Sequence, residues 1–214
     1  MTRSAEVRRI LDRYLVEVVE RHELCPWARA TRERGELAVG ILWGAPELDD
    51  WAAAAAELLA VPGARVAMVV APELAIARGE LSAVRDAVAA KLPAAGVAEF
   101  HPDAALDLAT PARLVPFLRR SPDPMLQLVP LALIDAARAA PPAADLALQA
   151  AMLGGRAAPR RELAAEIAAA NHAAVAAAHA AITAALDDIA ADRRDAYARA
   201  GISSGRRPPP RASR

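Results

Sequence analysis

Arg65-Val66-Ala67-Met68-Val69-Val70-Ala71 is an almost unbroken apolar run, the pattern of a strand buried on both faces. Pro62-Gly63 punctuates the chain just before it. Upstream, 46–60 reads as a helix opened by Pro46, with Glu47, Asp49 and Asp50 in its favourable first turn. Before that, 36–43 reads as a strand following Gly35. Downstream come a helix over 75–92 ending at Pro93, a strand over 97–100, a helix over 111–119 started by Pro111, and a strand over 125–129. Pro130 cannot donate to a ladder, so it belongs at the end of that last strand or on an edge. A helix over 131–140 follows, stopped by Pro141-Pro142. Strands alternating with helices of this length define an α/β fold: a small, mostly parallel four-stranded sheet with flanking helices and right-handed crossovers. Sites in such sheets gather at the carboxyl ends of the strands.

Two helical stretches flank this unit. Over 5–21, Val7, Ile10, Leu11, Tyr14, Leu15, Val18 and Val19 recur at helical spacing behind Ser4, an expected N-cap. The composition changes after 141. A short helix over 145–153 and a Gly154-Gly155 break precede an alanine-rich helix over 160–200. There Val175, Ile182 and Ile189 repeat every seven residues, with Leu186 beside them and His172 and His179 at partner positions. At ~1.5 Å per residue such a helix is about 60 Å long, so a hairpin break or a partner is expected. The expected organisation is an α/β domain over 1–141, an alanine-rich helical C-terminal extension over 142–201, and a disordered tail rich in proline and arginine over 202–214.

The chain has 214 residues, with 26 Lys+Arg balanced by 26 Asp+Glu. Zero net charge gives no general argument for nucleic acid or an anionic membrane, and 3% aromatic content leaves few platforms for stacking bases. One cysteine forms no internal disulfide, which fits a reducing, cytoplasmic setting. Residues 1–20 carry charges throughout, unlike a signal peptide, and no stretch is expected to reach the apolar length of a membrane span.

That cysteine sits in Leu24-Cys25-Pro26-Trp27-Ala28. Proline is favoured at the first helical position, so Cys25 is expected at or next to the N-cap of a short helix over 26–34. There the helix dipole, with Arg29 and Arg32 nearby, would lower the thiol pKa and suit a nucleophile, a redox centre or a soft metal ligand. The competing reading is a small buried hydrophobe packed beside Trp27. His101, Pro102 and Asp103 follow the third strand, at the end where a functional group is expected. Arg119, Arg120 and Ser121 open the loop before the fourth.

Three of these segments in order resemble an uncharacterised bacterial family, the domain of unknown function numbered fourteen-fifteen. Its Leu-Cys-Pro-Phe-Ala, Phe-His-Pro and Arg-Ser-Pro-Tyr-Pro elements correspond to Leu24-Cys25-Pro26-Trp27-Ala28, Phe100-His101-Pro102 and Arg120-Ser121-Pro122-Asp123-Pro124. The resemblance covers about 7–140. It implies a fold and a site location, not a reaction. Where the family has His-Leu-Leu-Arg-Glu, this chain reads Gln127-Leu128-Val129-Pro130-Leu131, so a histidine, an arginine and an acid are missing. A Cys-Pro-aromatic helix start also occurs in thioredoxin-like proteins, but there it follows a strand, whereas here an amphipathic helix precedes it and no second cysteine is available to resolve a disulfide.

The sharpest functional expectation groups Cys25, His101 and Arg120 around one pocket. Cys25 is the nucleophile, His101 its base, Asp103 the group orienting that imidazole, and Arg119 or Arg120, with Ser121, the holder of a small anionic ligand. The alternatives are a turn for His101-Pro102 and a loop tied to carbonyls for Arg120-Ser121-Pro122. No metal is expected, since Cys25 and His101 supply two ligands where structural zinc wants four, and His172 and His179 stand two turns apart. No cofactor is expected either, because phosphate-binding and dinucleotide glycine loops are absent. The competing class is a non-catalytic protein that self-associates through its C-terminal helix.

Overall fold

The apolar run around Met68 forms the second of four strands, Val66–Val70. The structure, a computed structural model, describes residues 2–139 and 160–203. The sheet comprises β1 (Leu37–Ile41), β2 (Val66–Val70), β3 (Ala95–Phe100) and β4 (Met125–Pro130), in the order β1-β2-β4-β3. Around it lie α1 (Arg3–Tyr14), continued by a π turn over Leu15–Glu20, α2 (Ala28–Glu33), α3 (Leu48–Leu59), α4 (Arg78–Lys91), α5 (Pro111–Leu118), α6 (Leu131–Ala139) and α7 (Arg160–Ala200). The expected helix over 145–153 and most of the expected tail lie outside the described residues.

The α/β architecture is as expected, but the sheet is mixed. β1 and β2 are parallel, whereas β4 pairs antiparallel with both β2 and β3. The cause lies in the chain between β3 and β4. The His101 N–H donates to the Arg119 carbonyl at 3.0 Å, so the excursion through α5 closes back on the end of β3. β4 therefore starts where β3 stops and runs the opposite way. Pro130 is its last residue, facing Ala95, where its missing donor costs no interior ladder bond.

Alternation sorts each strand between two cores. Met68, Val70 and Met125 face α1, the π turn, α5 and α7, while Ala67, Val69, Leu126 and Leu128 face α3 and α4 around the buried Trp51. β1 is an edge strand, and Arg8 donates to its Val39 carbonyl at 2.8 Å, occupying a group another strand could otherwise pair with.

The extension expected from the sequence is part of this core. α7 is one unbroken helix of 41 residues. Val175, Ile182, Leu186, Ile189, Ala196 and Tyr197 are buried with Val7, Ile10 and Tyr14 in a single cluster. The seven-residue seam is thus filled by α1 and its neighbours. Polar groups reinforce the joint: Asp192 accepts from Arg9 at 2.7 and 2.8 Å and from Arg13 at 2.7 Å. At the sheet end, buried Asp123 accepts from Arg193 at 2.7 Å and from the Tyr197 hydroxyl at 2.6 Å. Contrary to expectation, Ala168–Ala200 is long and apolar enough for a membrane span by composition, with hydropathy 1.3. Its larger side chains are nonetheless spent inside the protein.

Candidate functional site

The Cys25 segment sits on the α1 side of the sheet. α1 loosens into its π turn, and Glu23 then takes left-handed backbone (φ 52°), reversing the chain toward the sheet. The helix after the cysteine begins two residues later than expected, at Ala28 with Trp27 as its cap. Cys25 is half-buried against the main core. Burial pushes its thiol up, outweighing the Trp27 and Ala28 backbone N–H groups that favour the thiolate. This corrects the expected lowering: the positive end of a six-residue helix contributes less than the loss of water.

The thiol borders a cavity of about 270 Å³ whose walls include Tyr14, Val19, Trp27, Met68, Phe100 and Gln127. Its polar groups are few, and apart from Arg119 they are uncharged: Tyr14, Cys25, Thr31 and Gln127. Tyr14 is almost completely buried, and burial beside Cys25 raises its phenol. Gln127 lies on the same face of β4 as Met125, toward α1, and no hydrogen bond satisfies its amide among the described residues. Trp27 is 51% exposed and forms part of the rim. Arg119 lines the wall too, but its guanidinium leans toward Glu99 at 3.5 Å. The stem covers the apolar cavity while the charge points out of it.

The other expected site residues lie elsewhere. His101 lines a separate cleft and is buried there. The Asp103 backbone N–H donates to its Nδ1 at 3.0 Å, which leaves Nε2 to donate to the Ile76 carbonyl at 2.9 Å. With both nitrogens used by backbone, the imidazole ties a turn and has no lone pair left to act as base for Cys25. Asp103 orients it through the main chain, not through its carboxylate. Arg120 pairs with Asp187 of α7 at 3.2 Å, and the buried Ser121 hydroxyl donates to the Asp123 carbonyl at 2.6 Å. Both hold the loop, so only Arg119 of that trio reaches a cavity.

Sequence reasoning missed Tyr14 and Gln127. Gln127 did carry a signal, being the one polar residue in the apolar run of β4. Tyr14 carried none, since it sits at a core position of an amphipathic helix. His172 Nε2 donates to the Leu108 carbonyl at 2.9 Å, and His179 contacts the Ala176 carbonyl within its own helix. Among the described residues, no three His, Cys, Asp or Glu side chains converge as metal ligands would. No family model, curated protein or solved structure matches the chain.

Proposed function

We propose that this protein binds a small, largely apolar, uncharged molecule in the cavity beside Cys25, without using the thiol as a nucleophile. The observation that carries this is the wall chemistry: a largely apolar cavity of about 270 Å³ whose uncharged polar groups are a thiol, a phenol, the Thr31 hydroxyl and an amide, with the Arg119 guanidinium drawn toward Glu99 at 3.5 Å. Such a surface binds by excluding water from apolar area and orients its ligand through the few polar groups. Gln127 supplies a donor and an acceptor, and Tyr14 a donor, for one carbonyl or hydroxyl on the ligand. The three motifs around Cys25, His101 and Arg120 support placing the chain as a divergent member of the fourteen-fifteen family. In that correspondence Gln127, on the wall of the cavity that Cys25 also lines, stands where the family has histidine, so a base is replaced by a neutral hydrogen-bonding group. A single unbridged cysteine fits a cytoplasmic protein.

The test uses the neutral fluorophore N-phenyl-1-naphthylamine. Its fluorescence is expected to rise to saturation at one molecule per chain. The rise is expected to disappear in Ala98→Phe, which fills the cavity from β3, with far-UV circular dichroism unchanged. Undiminished binding in that variant would sink the proposal.

A further inference from the structure

A second cavity, also about 270 Å³, lies on the other side of the carboxyl end of β3, lined by Arg78, Ser82, Glu99, His101, Val115 and Arg119 among others. We propose that this cleft binds a small oxyanion, the carboxylate or phosphate group of a metabolite, through Arg78, Arg119 and Ser82.

The argument rests on donors left unused. Arg9, Arg13, Arg32 and Arg193 are each held by carboxylates at 2.6 to 2.9 Å, the spacing of a charge-assisted bond. The cleft differs. Arg78 is exposed and has no ion pair or hydrogen bond among the described residues. Arg119 has one loose contact, to Glu99 at 3.5 Å. The Ser82 hydroxyl reaches the same carboxylate only at 3.4 Å. Glu99 also lies 3.5 Å from Arg85, which sits closer to Asp86 at 3.0 Å.

Arg78 and Arg119 thus line the cleft against one carboxylate, Glu99, and leave a net charge of about +1, which a monoanionic ligand balances. Guanidinium forks match the paired oxygens of a carboxylate or phosphate. Ala104, Ala112, Val115 and Pro116 form the rest of the wall. His101 adds no donor, because the backbone already holds both its nitrogens. Its part is to fix the cleft floor, through Ile76 on one side and the Asp103 N–H on the other.

The experiment is isothermal titration of the full chain with inorganic phosphate and, separately, with acetate, at low ionic strength. Saturable binding of one anion per chain is expected. Arg78→Ala, which removes a side chain with no hydrogen bond or ion pair among the described residues, should weaken it at least about tenfold, and adding Arg119→Ala should abolish it. Arg113→Ala should leave it unchanged, since Arg113 pairs with Asp107 outside the cleft. Tighter binding of phosphate indicates a phosphorylated ligand and tighter binding of acetate a carboxylic acid; either result supports the site. Absence of saturable binding for both anions, or equal affinity in Arg78→Ala, overturns it. Ala98→Phe should retain anion binding, so the result is independent of the fluorophore experiment on the other cavity.

Discussion

At the scale of single residues, the cysteine shows how burial can reverse an inference drawn from sequence neighbours. A proline and two arginines beside Cys25 suggested an activated thiolate, yet the side chain turns into the core, where desolvation raises its pKa. Alkylation by iodoacetamide is therefore expected to be slow at pH 7, with a rate midpoint above the ~8.5 of a free thiol. His101→Ala should leave that midpoint where it is, because the imidazole lies in another cavity with both nitrogens engaged. A midpoint below 8, or one displaced by His101→Ala, would restore the nucleophile. Measuring the rate between pH 6 and 10 decides the matter.

At the scale of elements, α7 has the largest consequence. Were it an appendage, shortening a side chain on it would leave the α/β unit untouched. Ile189 is fully buried between α7 and α1, so Ile189→Ala should destabilise the whole protein by about 2–5 kcal/mol, read as a lowered urea midpoint of a single transition. An unchanged midpoint would return α7 to the status of an extension. The four strands and most helices were legible because apolar runs and helical periodicity report burial on one or two faces. The Val175, Ile182 and Ile189 repeat was legible too, but periodicity says only that a face is buried, not what covers it. The direction of β4 could not be read, because it is set by the bond from His101 to Arg119, and a short apolar strand between prolines looks the same either way. The anion cleft was half legible: Arg119 was foreseen, whereas Arg78 lies in a helix where exposed arginine is ordinary.

For the whole molecule, charge is balanced in total but not dispersed. Carboxylates on the joint between helices are held by arginines, which keeps Asp192 (Arg9, then Arg13) and Glu20 (Arg32, then Arg29) below their ordinary range. Such groups contribute stability above the unfolded carboxylate pKa of ~4 and lose it as pH falls toward their lower folded values. Unfolding free energy is thus expected to fall steadily below about pH 4, and Asp192→Asn should flatten that slope while lowering stability at pH 7. Urea titrations at pH 7, 4 and 3 provide the comparison; an unaltered slope would show that the joint does not govern acid sensitivity. Burial raises the Asp123 carboxyl instead, so it does not add to this acid loss.

The placement of α7 also bears on how the protein is made. Val7 to Tyr14 emerge from the ribosome early, yet the residues that cover them, Val175 to Tyr197, are translated more than 160 residues later. At 5–20 residues per second, the apolar face of α1 stays open for about ten to thirty seconds. For that interval the nascent chain carries an uncovered apolar face, and docking of its late helix closes the window.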